Sequence, residues 1–181
     1  MGFNTHPHHD MEIITYIVQG ELKHKDSMGT EATIKPGEVQ RMSAGTGIQH
    51  SEFNHLHDQK THLLQIWILP EKIGVVPSYE QKSFENDFLG GDLILVASKN
   101  GFNASISINQ DVNLYACKAV VDTEKVFKVS PQRRIWLQNI KGQTQANDVI
   151  LNAGDAVGFD KVDSLFLKWH NDSEFLLFDL P

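Results

Sequence analysis

Thr5-His6-Pro7-His8-His9-Asp10-Met11-Glu12 leads directly into Ile13-Ile14-Thr15-Tyr16-Ile17-Val18, a β-branched and aromatic run that Gly20 ends. Such a run suits a pleated, half-buried surface and reads as a strand. Outward from it the same cadence repeats. Residues 21–26 read as a second strand that turns through Ser27-Met28-Gly29, residues 31–34 as a third and 39–42 as a fourth. Lys35-Pro36-Gly37-Glu38 is a turn, because proline presets one dihedral and glycine accepts a positive one. Gly45-Thr46-Gly47 then feeds Ile48-Gln49-His50-Ser51-Glu52-Phe53-Asn54, and residues 62–69 form a strong strand stopped by Pro70. No stretch before Pro70 has helical periodicity. Short strands broken by Gly and Pro predict an all-β barrel or sandwich.

The segment 71–86, with Gly74, Pro77 and mixed charges, reads as a linker holding at most one turn of helix. A second set of strands is expected over 93–97, 104–108, 112–121, 134–141, 147–151, 157–159, 165–169 and 175–180. Its turn Asn152-Ala153-Gly154-Asp155 echoes Lys35-Pro36-Gly37-Glu38, as though one barrel pattern were used twice. Two domains are expected, 1–86 and 87–181. The second has no paired His or Glu where the first has its clusters, so it is expected to pack without binding metal.

Bulk properties narrow the function classes. The chain has 181 residues, enough for a substantial core, with 40% hydrophobic and 22% charged side chains. No apolar run approaches the roughly 18 residues that span a bilayer. The N-terminus has neither the basic region nor the apolar stretch of a secretory signal. The single cysteine, Cys117, excludes an intrachain disulfide framework and fits a reducing compartment. A cytoplasmic protein is expected, without a membrane partner. The net charge of -7 and scattered basic residues argue against direct nucleic-acid binding, which needs a basic face.

The chemistry concentrates in two places. On an extended strand residues i and i+2 share a face, so His6 and His8 point together, as do His50 and Glu52. Two such pairs facing each other offer three imidazoles and one carboxylate. That set suits a divalent first-row metal with positions left open. It does not suit a closed structural zinc site, which would favour cysteines. Fe(II) is the first choice, with Mn, Ni, Co, Cu or Zn also accepted. Glu12, on the parity of His8, reads as a fifth ligand, a pocket-wall carboxylate or, the favoured reading, a partner orienting a histidine.

The remaining histidines read differently. His55-Leu56-His57 repeats the spacing inside a polar loop beside Asp58-Gln59-Lys60, and His9 has the wrong parity to join His6 and His8. His62 reads as a pocket or packing residue, and His24 and His170 as isolated structural ones. Met11, Met42, Phe53 and Trp67 are candidates for an apolar pocket wall.

At these residues the chain resembles the pirin family of the cupin superfamily. His6-Pro7-His8, Glu12 and Gly20 match the first cupin motif, and Gly37, Gly45-Thr46-Gly47, His50 and Asn54 the second. Met42-Ser43-Ala44-Gly45-Thr46-Gly47-Ile48-Gln49-His50-Ser51-Glu52 is highly specific to pirin-like proteins, and Gln65-Ile66-Trp67-Ile68-Leu69-Pro70 and Leu176-Leu177-Phe178-Asp179-Leu180 also fit. The resemblance covers essentially the whole chain. It implies two cupin-type β-barrel (double-stranded β-helix) domains, with iron in the first at the positions of His6, His8, His50 and Glu52. Several members act as quercetin 2,3-dioxygenases, which open a flavonol ring with O2 and release carbon monoxide. Others, chiefly eukaryotic, are nuclear cofactors of transcription regulators. In the enzyme reading, Glu52 would be the base for the flavonol proton. Pirin-like proteins carry several strands before the first motif, and this chain opens almost on it. The first barrel is therefore expected to lack those strands and to cover its open edge by forming a homo-oligomer, with a more open metal site. The alternatives to a dioxygenase are a non-catalytic metal-binding regulator and a degenerate, metal-free cupin scaffold.

Overall fold

The computed structural model describes residues 1–56, 58–119, 122–170 and 172–181; His57, Val120 and Val121 of the sequence reading lie outside them. The chain folds as two compact units. One comprises Met1–Glu85 with Lys99–Gln110, the other Asn86–Ser98 with Asp111–Pro181. No helix among the described residues is long and apolar enough to cross a membrane.

In the first unit the chain runs through β1 (Gly2–His8), β2 (Glu12–Gln19), β3 (Leu22–Asp26), β4 (Glu31–Ile34), β5 (Glu38–Ser43), β6 (Ile48–Asn54), β7 (His62–Ile68) and β8 (Ser78–Ser83). Two antiparallel sheets result, ordered β1-β6-β3-β4 and β7-β2-β5-β8. Ile17 and Leu63 from one sheet meet Leu22 and Ile34 from the other in the core. A second cluster gathers Ile13, Met42, Ala44 and Ile48. The apolar run read from the sequence is the innermost strand, with Ile13 to Ile17 buried on both faces.

After β9 (Ile94–Lys99) and β10 (Ile106–Ile108) come β11 (Asn113–Lys118), β12 (Thr123–Lys128), β13 (Arg134–Lys141), β14 (Thr144–Ala146), β15 (Val149–Leu151), β16 (Ala156–Phe159), β17 (Ser164–Trp169) and β18 (Glu174–Leu180). The order β12-β17-β14-β15 repeats β1-β6-β3-β4, and β18-β13-β16, flanked by β11, repeats β7-β2-β5. The two turns noticed in the sequence are the same device. Gly37 and Gly154 take φ of 87° and 91°. The Glu38 and Asp155 amides donate to the Lys35 and Asn152 carbonyls, each at 3.0 Å. Each carboxylate in return accepts from the amide three residues earlier, at 2.8 and 2.9 Å. One all-β pattern is used twice, as the sequence suggested.

Three strands escape the sequence reading. The expected linker contains β8, whose Ser-Tyr-Glu-Gln-Lys-Ser lacks apolar alternation. Polar pairing holds it on β5 instead: the Arg41 guanidinium donates to Ser78 Oγ at 2.6 Å and to Glu80 Oε2 at 3.1 Å. On its other side, Gln81 Nε2 donates to Glu38 Oε2 at 2.9 Å. β12, Thr-Glu-Lys-Val-Phe-Lys, pairs along its length with β17. β14 is only three residues long, and its partners β15 and β17 define it.

Candidate metal centre

β1 and β6 lie antiparallel with His6 opposite His50. This register brings the His6/His8 pair beside His50. The ring centroids of His6 and His8 are 4.9 Å apart, those of His6 and His50 4.4 Å, and those of His8 and His50 4.9 Å. One nitrogen of each falls within 4.8 Å of the other two. Metal–nitrogen bonds of about 2 Å place bound nitrogens about 3–4 Å apart, so small rotations would close the set on an ion. Glu52 follows two residues after His50 on β6, and one of its oxygens lies with a nitrogen of each of His50 and His24 in a second group, all within 4.8 Å of one another.

Unsatisfied atoms discriminate between the two groups. His8 Nε2, His50 Nε2 and Glu52 Oε1 are buried without a hydrogen-bond partner among the described residues. Each such atom costs about 1–3 kcal/mol if nothing occupies its lone pair. His24 differs: its Nε2 is 3.1 Å from Asp26 Oδ2, and its Nδ1 is 3.5 Å from His50 Nδ1. His6 donates from Nδ1 to the Asn4 carbonyl at 2.7 Å, which leaves Nε2 with its lone pair. Bare lone pairs are thus left on His6, His8 and His50, which lie together, and on Glu52, which lies with His50 and His24; imidazole and carboxylate are donors that suit a divalent cation. Glu52 is aimed by its other oxygen, Oε2, which accepts from Gln65 Nε2 at 2.8 Å. Gln65 Oε1 accepts in turn from Trp67 Nε1 at 3.0 Å.

Electrostatics keep the His50 and His8 imidazoles neutral. His50 is 2% exposed. Burial, then the neighbouring rings of His6, His24 and His8, push its pKa down to about 3 despite the opposing pull of Asp26. His8 is lowered as well, by burial and by His6. Burial raises Glu52 above the ordinary carboxylate value, and the Gln65 hydrogen bond only partly offsets it. An unfolded histidine titrates near about 6.5. Between there and about 3 the unfolded chain binds a proton at His50 that the native chain refuses. Stability is then full above this window and is lost as pH falls through it, by about 1.4 kcal/mol per pH unit. Chelator-treated protein is expected to lose Tm between pH 6.5 and 4.5 more steeply than its His50→Gln variant. Parallel curves would refute this.

Several residues lie elsewhere than the sequence suggested. Glu12 orients no histidine. It is buried, accepts from Ser43 Oγ, and accepts from Asn109 Nδ2 at 3.1 Å. The parity argument fails because Asp10, at φ 46°, turns the chain between His8 and Glu12 into another sheet. Of the four expected wall residues, Trp67 stands over the site with its ring 5.1 Å from His8. Met42 and Met11 pack in the core, and Phe53 is exposed. His62 is exposed rather than packed. His24 is not isolated but fully buried against His50. His24-x-Asp26 has the same i, i+2 spacing as the ligand pairs, and that signal could have flagged it.

In the repeated pattern, register shows what replaces the site. His24 pairs with Glu52 as Ala146 pairs with Leu167. His6 faces His50 as Phe127 faces Leu165. Side chains without lone pairs thus stand at four of the cluster's positions, and all four belong to or pack against the second unit's core.

The first unit's cluster is framed by two cavities. One of about 470 Å³ is lined by Pro7, His8, His9 and Gln49, and another of about 710 Å³ by Leu22, Glu52, Thr61 and Leu63. Comparison with known proteins agrees with this layout. The pirin family model matches residues 1–68, and the model of the quercetinase C-terminal cupin domain matches 95–180. Quercetin 2,3-dioxygenase of Escherichia coli K12 is 42% identical over 180 residues, which cover 99% of this chain and 77% of that protein. The crystal structure of YhhW from Escherichia coli superposes with a TM-score of 0.94 at 41% identity, covering 100% of this chain and 76% of the other. That of the bacterial pirin YhhW in complex with nickel(II) gives 0.92 at 40% identity, covering 99% and 76%. Identity at this level, sustained through both repeats and over three-quarters of the relative, makes this chain a member of the pirin family.

Proposed function

We propose that the first unit binds one divalent metal ion through His6, His8, His50 and Glu52 and is a dioxygenase of the quercetin 2,3-dioxygenase type, opening a flavonol ring with O2. The observation that carries this reading is the grouping of the His6, His8 and His50 nitrogens within 4.8 Å of one another, with His8 Nε2, His50 Nε2 and Glu52 Oε1 buried and without a partner among the described residues. The relatives' names and the nickel(II) complex of YhhW support it. A bound divalent ion would supply Lewis acidity at the meeting point of substrate and O2. Fe(II) remains the first choice, with nickel tested beside it.

The chain's own residues perform the rest. Glu52 is the acceptor for the flavonol hydroxyl proton, a role that requires its carboxylate to leave or share the metal. Gln65 holds Oε2 and so fixes the direction of Oε1. Leu22 and Leu63 give the Glu52 cavity apolar walls, and its volume of about 710 Å³ is in the range of small-molecule sites. Trp67 is 56% exposed, and its tethered indole offers an aromatic face to a planar substrate.

Protein loaded in turn with Fe(II), Ni(II), Co(II) and Mn(II) is expected to consume quercetin aerobically and release carbon monoxide. Glu52→Gln keeps the shape and removes the base, and is expected to cut kcat by about 10²–10⁴-fold. Stoichiometric metal without turnover in any form would sink the enzyme reading and leave a metal-binding protein.

A further inference from the structure

Beyond the ligands themselves, and resting on the metal reading above, we infer that Asp26 and His24 are positioning residues. Asp26 sets the tautomer of His24, His24 sets that of His50, and the His50 Nε2 lone pair is thereby aimed into the cluster.

The relay begins in the β3–β4 hairpin. Asp26 Oδ1 accepts from the backbone amides of Met28 at 2.9 Å and Thr30 at 3.0 Å. The other oxygen, Oδ2, faces His24. It lies 3.1 Å from His24 Nε2, with both side chains fully buried. A carboxylate can only accept, and Asp26 Oδ1 already accepts from two backbone amides. The proton between them therefore belongs to His24 Nε2. A neutral imidazole has one N–H, so His24 Nδ1 carries a lone pair. That lone pair faces His50 Nδ1 at 3.5 Å. His50 must donate, which places its single proton on Nδ1 and strips Nε2. Nε2 is the atom found buried and unpartnered.

Register makes the geometry possible. Antiparallel pairing of β3 with β6 sets Asp26 opposite His50 and His24 opposite Glu52. The hairpin is also tied to the strand just before His50, because Ser27 N donates to the Gln49 carbonyl at 2.8 Å and Gln49 N donates to Ser27 Oγ at 3.1 Å. Tyr79 of β8 covers the other side of His24, with ring centroids 5.1 Å apart. Carboxylate–histidine pairs that orient a metal ligand are common. Here the orienting group is itself a histidine, one step further back.

Asp26→Asn separates this role from the turn. Its amide oxygen can keep the Met28 and Thr30 amides, which directs its NH2 at His24 Nε2. His24 then carries its proton on Nδ1, which points at His50 Nδ1, and His50 is driven to the Nε2–H form. In metal-free protein labelled with ¹⁵N-histidine, NMR is expected to report His50 as Nδ1–H in wild type and Nε2–H in Asp26→Asn. Ni(II) affinity, measured against a chromophoric chelator, is expected to fall about 10–100-fold. His24→Phe keeps the ring packing but removes the acceptor, and it provides the same affinity test should Asp26→Asn fail to fold. Wild-type His50 protonated on Nε2, or unchanged Ni(II) affinity in a folded variant, overturns the relay. A wild type with the Nδ1–H form and no Ni(II) uptake overturns the metal reading and leaves the relay standing.

Discussion

His50→Ala is expected to bind Ni(II) about 10²–10³-fold more weakly than wild type. A four-ligand site in a small domain is worth roughly 10–16 kcal/mol. One ligand of four then carries about 2.5–4 kcal/mol, and each 1.4 kcal/mol is tenfold in affinity. His50 is the residue to remove because it belongs to both possible donor groups, with His6 and His8 on one side and His24 and Glu52 on the other. His9→Ala is the control. His9 is adjacent in sequence, but its ring is solvent-exposed and paired with Asp10 at 2.7 Å. It should leave affinity and quercetin consumption as they were. Equal Ni(II) affinity in His50→Ala and wild type would place the metal elsewhere.

The second large effect concerns stability. Trp169 is the largest fully buried side chain, set edge-on to Phe175 with centroids 5.4 Å apart. It packs in the second unit's core with Leu137, Leu165, Leu167 and Leu177. Truncation to alanine leaves a cavity that close-packed neighbours cannot fill, at a cost of about 3–5 kcal/mol. For a chain of this length that lowers Tm by roughly 6–20 °C. Trp169→Phe should lose much less. A Tm within a degree or two of wild type for Trp169→Ala, by calorimetry, would show that this core is less rigid than its packing implies. Folded Trp169→Ala should keep wild-type Ni(II) affinity, because every residue of the cluster belongs to the first unit.

How much of this was legible depends on how local each signal is. Strands rich in apolar residues, β2, β7, β13 and β18, were readable because burial writes itself into the residue types. β8 and β12 were not, since their stability comes from partners: Arg41 from β5 in one case, the β17 backbone in the other. The ligand pairs were readable from i, i+2 parity within one strand. Parity misled for Glu12, because it was carried across a turn that changes sheets. Residues 99–110 read as part of the second half, yet they cluster with the first unit, where Asn109 caps Glu12.

The order of amino acids alone determined that the chain is β throughout, that one turn-and-strand pattern occurs twice, and that His6, His8, His50 and Glu52 can present lone pairs in matched pairs. These are properties of neighbouring residues: side-chain parity and the dihedrals that Gly and Pro allow. Tertiary structure alone decided that β6 lies between β1 and β3, which brings His6 to one side of His50 and the Asp26–His24 pair to the other. Strand register is set by contacts between segments far apart in the chain. A slip of one residue would turn every one of these side chains to the opposite face.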